Sequence, residues 1–352
     1  MHHLDDPDQW RQIDPSGMRT LVETLPEQIR KAAGIASAIS FVVPSGIRAI
    51  VLAGLGGSAI GGDVVRSVTG NRMSVPFQVS RDYDLPGFVG PHVPVITSSY
   101  SGNTEETLSA YRLARSARAP VICISSGGRL AELARTDGSP LILLPPGLPP
   151  RTALGFSTLA LLGCLRALEL VPDMSCDIEE TARILDAISS RCAVAVPQER
   201  NPAKQMAESM LGNVVAVYAA SGLLEAAAMR WRGQIEENAK NLAFHHLLPE
   251  MNHNELVGWE NPAPVLRRCI VIMLRDREEH PQVKRRFDLT EEILQARACT
   301  VHQVRSKGES RLARIFSVML TGDFVSLYLA ALNRVDPTPV TIIETLKARL
   351  TG

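Results

Sequence analysis

The sequence predicts an α/β fold of two similar halves, each a doubly wound parallel sheet with helices on its faces. Three observations carry this. Short apolar runs bounded by glycine or turn residues recur, and segments with helical spacing separate them, the pattern of βαβ units. The glycine-serine turn that follows the run near residue 55 has a counterpart near residue 221. The chain has 352 residues, 45% hydrophobic and 21% charged, enough for two domains of about 100–200 residues with their own cores.

Residues 1–45 carry one short helical pattern, Met18, Leu21, Val22, Leu25 and Ile29, ending near Gly34. We read them as an extension packed on the body, too short to hold a helix-turn-helix reader and its linker. The first subdomain, 46–172, opens with AIVLAGL (49–55), a continuous apolar run of the kind a parallel strand buried on both faces requires. SVPFQVS, VPVITSSY and APVICISS repeat the pattern, with helices expected over 60–69, 104–116 and 130–135. LPPGLPPR (144–151) leads into bridging helices, of which 154–171, interrupted by Arg166 and Glu169, reads as buried and amphipathic and not as a membrane span. The second subdomain, 173–352, restarts with VVAVYAA (214–220). A long helix over 223–244, strands in RCIVIMLRD and ACTVHQVRS, and a late amphipathic helix over 313–332 follow, the last read as packing surface.

Thirty-seven basic residues balance thirty-seven acidic ones, so no basic footprint for nucleic acid is expected. The six cysteines, Cys123, Cys164, Cys176, Cys192, Cys269 and Cys299, show no C-x-x-C spacing and mostly lie in apolar runs, which reads as reduced thiols without a metal or disulfide role. His245 and His246 lack the i, i+4 spacing of a zinc pair; we expect them at the end of the long helix, complementing its negative terminus. Trp231 and Trp259 are assigned structural roles. The acidic start, MHHLDDPDQW, is unlike a signal peptide, and the expected location is cytoplasmic, away from the membrane.

Two loops could carry chemistry. GLGGSAIGGD (54–63) follows a strand and opens a helix, so its backbone N–H groups and the helix dipole favour an anion. Gly54, Gly56 and Ala59 also fit a loose dinucleotide fingerprint, with Asp82 as the ribose ligand. SSYSGNTEET (98–107) lies at another strand-to-helix turn and adds the hydroxyls of Ser99, Ser101 and Thr104. One cap needs one hydroxyl. Three, beside a second Gly-Ser loop, read better as a cage for a phosphate monoester, and a nicotinamide dinucleotide has no use for them.

These two motifs resemble the sugar isomerase (SIS) fold, a doubled flavodoxin-like α/β unit that binds phosphosugars. PRTALGFS (150–157), GQIEENAKNLAF (233–244), MNHNELVGWE (251–260) and GDFVSLYLAALNRVDPTPVTIIETLK (322–347) extend the resemblance, in order and spacing, to the bifunctional phosphoglucose/phosphomannose isomerases. The resemblance implies that Gly57, Ser58, Ser99, Ser101 and Thr104 hold phosphate, with Glu237 the base and His253 the ring-opening histidine. It further implies Arg151 near the reacting carbons and Lys347 beside the ring oxygen, no metal or cofactor, and a homodimer in which His253 completes the partner's site. Glu236 stands where a neutral residue is expected; consecutive helical residues point about 100° apart, so only one of the two carboxylates faces the cleft.

The expected reaction interconverts glucose 6-phosphate or mannose 6-phosphate with fructose 6-phosphate through an enediol, one proton moving between C1 and C2. A carboxylate suits that transfer, and an imidazole suits ring opening. The alternatives are a non-catalytic phosphosugar-binding protein of the SIS fold, another phosphosugar enzyme of that fold, and a dinucleotide-dependent oxidoreductase.

Overall fold

The computed structural model describes residues 3–297 and 299–350. The chain divides into two compact units. One comprises Leu25–Arg183 with Ser310–Ala313; the other comprises Ile184–Glu309 and Arg314 onward, together with the segment through Thr24. The extension expected over 1–45 is therefore divided, and each part has its own anchor. Helices α1 (Pro7–Ile13) and α2 (Met18–Glu23) go with the second unit. There the fully buried Lys204 ammonium holds Asp5 at 2.6 Å. Helix α3 (Leu25–Ala38) goes with the first, where the Gln28 side chain donates to the Thr152 carbonyl at 2.8 Å and accepts from the Gly155 N–H at 2.7 Å.

The first unit is built on β1 (Ile50–Ala53), α4 (Gly56–Thr69), β2 (Phe77–Ser80), β3 (Val95–Ser98), α5 (Glu105–Ser116), β4 (Val121–Ser125), α6 (Gly128–Thr136) and β5 (Leu141–Leu143). All pairs are parallel, in the order β2-β1-β3-β4-β5, with Leu52 opposite Ile96 and Ile96 opposite Ile122. That is the flavodoxin order, whose chain direction reverses between β1 and β3. Alternate residues serve the two faces: Val51, Val95 and Cys123 pack with Ala110, Tyr111 and Leu130 of α5 and α6. On the other face, Leu52 meets α4 at Gly62, where a β-carbon would collide with its side chain. Helix α7 (Leu154–Ala167) is buried on all sides through Leu165, so it is a core helix and not the amphipathic one its two charges suggested. Its Arg166 reaches out to cap α3, donating to the carbonyls of Ala36, Ser37 and Ile39.

Helix α8 (Ser175–Cys192) spans the division between the units. The second unit continues with α9 (Pro202–Met210), β6 (Val214–Ala220), α10 (Glu225–Ala239), β7 (Ala243–Leu248), the short α11 (Glu255–Gly258) and α12 (Ala263–Leu266), and β8 (Cys269–Arg275). It closes with α13 (Pro281–Gln295), β9 (Thr300–Arg305), α14 (Arg311–Leu332) and α15 (Thr341–Leu350). Its sheet is parallel in the order β7-β6-β8-β9. The helix expected over 223–244 stops at Ala239, and His245 and His246 lie within β7, where they cannot complement a helix terminus. Lys240 causes the break: it takes the left-handed conformation at φ 51°, and its ammonium caps the carbonyls of Glu237 and Asn238 at 2.7 and 3.4 Å. Among the described residues α14 alone is long and apolar enough to cross a membrane, and 89% of its apolar window is buried, as befits a core helix. It too is enclosed on nearly every side instead of amphipathic.

Candidate active site

The loops after β1 and β3 leave adjacent strand ends at the point where the first sheet reverses direction, the crevice in which open α/β sheets bind ligands. Helices α4 and α5 begin there, and no side chain caps either N-terminus. A helix start leaves its earliest N–H groups without intrahelical partners, although the Ser58 N–H is spent on the Leu55 carbonyl at 3.1 Å. Thr104 occupies the N-cap position of α5 but caps nothing; its hydroxyl shares a hydrogen with Ser99 Oγ at 2.9 Å. The reading of these hydroxyls as simple caps fails at this residue.

Further bonds knit the two loops into one surface. The Tyr100 N–H donates to Ser58 Oγ at 3.2 Å, and the Gly102 N–H to Ser99 Oγ at 3.1 Å. Ser58 and Ser99 are buried; Ser101 is exposed and accepts from the Asn103 N–H at 3.3 Å. Gly57 lets the backbone of 150–151 come close, since a β-carbon there would lie 2.5 Å from the Pro150 carbonyl oxygen and 3.3 Å from Arg151 Cα. Arg151, 7% exposed, is thus brought beside Gly57 in the first of the two loops.

Tyr100 is the organising residue that the motif analysis missed. Its hydroxyl donates to the Pro145 carbonyl at 2.6 Å and accepts from the Leu148 N–H at 3.0 Å, fixing the proline-rich segment that leads to Arg151. Burial pushes this phenol above its ordinary range, so it stays a donor. The available signal was an aromatic residue set among serines just after a strand. Asp82, the residue considered for a ribose, is exposed and accepts instead from the Tyr83 N–H at 2.7 Å.

In the second unit Glu237, His253 and Lys347 are carried by three elements: α10, the turn after β7, and α15. Helix α10 is locked to α14 by a buried network. Arg230 pairs with Asp323 at 2.7 Å, Gln234 Nε2 donates to the same carboxylate at 3.0 Å, and Asn238 Nδ2 donates to Ser326 Oγ at 3.0 Å. Trp231, fully buried, donates to the Val318 carbonyl at 2.9 Å, the structural role expected of it. With that face committed, Glu237 falls on its half-buried flank and Glu236 farther out, 3.6 Å from Arg232. Partial burial lifts the Glu236 carboxyl above its usual range, Glu237 adds to the shift and Arg232 opposes it. His253 and Lys347 are exposed.

The corresponding crevice of the second sheet is built for something else. After β8 come Asp276, Glu278 and Glu279 in place of hydroxyls; Arg275 is tied to Glu279 at 3.0 Å and Arg314 to Asp276 at 3.1 Å. Carboxylates there oppose a phosphate dianion, whereas the loops after β1 and β3 of the first sheet present hydroxyls and no carboxylate at the strand ends. His245 and His246 share a cleft of about 670 Å³ with Cys269. Even so, no group of three metal-ligating side chains occurs among the described residues.

Residues 199–350 match the family described as bacterial phospho-glucose isomerase C-terminal SIS domain. A bifunctional phosphoglucose/phosphomannose isomerase of Caldicellulosiruptor bescii is 44% identical over 330 residues, 94% of this chain and 97% of that protein. One from Aquifex aeolicus is 35% identical over 307 residues, 86% and 90% of the two chains. A solved glucose-6-phosphate isomerase like protein from Thermus thermophilus superposes with a TM-score of 0.64 over 99% of each chain at 20% identity, a likeness of fold. With near-full-length relatives at these identities, whose SIS architecture the two parallel sheets reproduce, the chain belongs to the bifunctional phosphoglucose/phosphomannose isomerase family.

Proposed function

We propose that this protein interconverts glucose 6-phosphate and mannose 6-phosphate with fructose 6-phosphate. The observation that carries the reading is the pair of uncapped helix N-termini at one sheet reversal, joined through the Ser58–Tyr100 bond and lined by the Ser58, Ser99 and Thr104 hydroxyls. Such a surface offers convergent donors to the oxygens of a phosphate monoester. Gly57 and Ser101 complete the set, and Arg151 beside Gly57 supplies permanent positive charge for an enediolate.

In this reading His253 takes the proton of the C1 hydroxyl and passes one to the ring oxygen as the C1–O5 bond breaks and the C1 carbonyl forms, and Lys347 steadies that oxygen. Glu237 removes the C2 proton of the open aldose. The C1 carbonyl oxygen takes up a proton from solvent to give the enediol; the C2 hydroxyl then releases its proton to solvent as the carbonyl forms at C2, and Glu237 returns its proton to C1. Atoms balance without an external oxidant or reductant. A base that is only half exposed, beside a helix face held rigid by Arg230, Gln234 and Asn238, suits that task better than Glu236, which is exposed and engaged with Arg232. An exposed His253 is compatible with a homodimer in which it serves the partner's site, and a cytoplasmic location belongs to the same proposal.

The test compares two neighbours. Glu237→Gln should lower turnover of fructose 6-phosphate by about 10²–10⁴-fold, the usual worth of a general base. Inorganic phosphate should still compete for the site with unchanged affinity, and Glu236→Gln should keep most of the activity. Equal losses at both positions, or full activity in Glu237→Gln, would remove Glu237 as the base. Binding of fructose 6-phosphate without turnover of any hexose 6-phosphate by the unaltered chain would make it a binding protein.

A further inference from the structure

His253 sits at the apex of a turn whose two flanks are fastened down while the apex is exposed. Before it, Met251 is fully buried, and the Asn252 side chain donates to Thr290 Oγ1 of α13 at 2.9 Å. After it, both oxygens of Glu255 are engaged. Tyr218 of β6 donates its hydroxyl to one, and His246 of β7 lies with Nδ1 2.6 Å from the other. The Trp259 indole N–H, 6% exposed overall, donates to the Tyr218 oxygen at 3.0 Å and closes the network.

The chemistry of these groups makes the clamp durable. A carboxylate only accepts, so His246 must carry its proton on Nδ1, which it does whether neutral or charged. Burial, reinforced by the Glu255 carboxylate, pushes the Tyr218 phenol far above its ordinary range, so it remains a donor at any working pH. Other ionisable groups beside this network include His245 and Cys269, which line the same cleft as His246, Glu255 and Trp259, and Cys299 near Tyr218. What the network does mechanically is join β6, β7 and the residues two to six beyond His253.

From this geometry we infer that Glu255, clamped by His246 and by a Tyr218 that Trp259 holds in turn, is a positioning residue that sets where the His253 imidazole is presented and so governs the ring-opening step. The inference rests on the ring-opening role proposed for His253. It goes further by naming the group that acts through that histidine without touching the sugar.

Ring opening can be observed apart from isomerisation, because opening and reclosing interconverts the α and β anomers of glucose 6-phosphate with no proton moved at C2. The Glu237→Gln protein provides that background, and exchange between the anomer signals by NMR gives the rate. Adding Glu255→Gln should slow enzyme-dependent anomer exchange by about tenfold or more, within the range by which a misplaced catalytic group loses rate. Tyr218→Phe should act in the same direction, and inorganic phosphate affinity and the thermal midpoint should change little. Glu255→Asp, with the charge kept, should recover part of the loss.

If His253→Ala leaves anomer exchange untouched, the ring-opening role fails and takes this inference with it. If His253→Ala abolishes exchange but Glu255→Gln and Tyr218→Phe do not slow it, the positioning inference alone is overturned. It is equally overturned if Glu255→Gln loses phosphate affinity and melting temperature in step with rate, since that marks a merely structural role.

Discussion

Replacing Gly57 by alanine tests whether the close approach of α4 to the 150–151 segment matters for the chemistry. The new β-carbon would stand 2.5 Å from the Pro150 carbonyl oxygen and 2.9 Å from its carbon, where ordinary contact begins at 3.4 Å. Both obstacles are backbone, so the segment must retreat by up to the 0.9 Å that separates 2.5 from 3.4 Å, carrying Arg151 with it. A misplacement of about 1 Å can cost about 10²-fold in rate, and overpacking of this kind costs about 1–3 kcal/mol of stability. We expect kcat/KM for fructose 6-phosphate to fall by roughly 30–100-fold, with a thermal midpoint lower by a few degrees. Gly61→Ala is the matched control: its β-carbon meets the Ser157 hydroxyl at 3.0 Å, a group that can turn away, so activity should stay near wild type. Gly57→Ala within twofold of wild-type kcat/KM, or Gly61→Ala losing as much as Gly57→Ala, would refute the reasoning.

Further outcomes follow from other parts of the structure. Asp323→Ala strips the buried Arg230 of its carboxylate and should cost about 3–5 kcal/mol in urea unfolding; a loss below about 1 kcal/mol would mean that α10 is held by packing alone. Thiolate is the reactive form, and burial pushes Cys123 and Cys299 each up to about 11 and Cys164 higher still. A maleimide at neutral pH should therefore modify the exposed Cys176 first, with all six sites titrating only after denaturation; fast labelling of Cys123 would count against the burial described. Burial lowers the His245 and His302 imidazoles below their ordinary 6.5, so the unfolded chain binds more protons than the folded one just below that pH. Stability should fall as pH drops through 6.5 toward the folded values and be indifferent to these groups above it; a double His245→Gln, His302→Gln variant with an equally steep acid slope in its thermal midpoint would exclude them as the cause.

Much of the fold was legible because parallel strands buried on both faces must be continuous apolar runs, and glycine with hydroxyl residues marks the turns that end them. That reasoning located β1, β3, β4, β6 and β8 and the two loops of the candidate phosphate site. It failed for β7, whose AFHHLL has no apolar continuity, because an edge strand with one partner can be half exposed. It also took α7 and α14 for amphipathic helices: the charges Arg166 and Glu169 look like a polar face, and so does helical spacing of aliphatic residues in α14, until the surroundings are known.

The sequence by itself determined that the chain carries two parallel sheets and one hydroxyl-rich turn pair, and it supplied adjacent carboxylates at 236 and 237. Local patterns suffice for these, because strand burial and turn conformation depend on neighbours along the chain. Only the tertiary structure decided which carboxylate lies inward, since Arg230 and Gln234 reach an aspartate some ninety residues away to fix the roll of α10. The same is true of Tyr100 and Glu255: each works through partners brought together by strand order, and contacts between distant segments leave no periodic trace in the sequence.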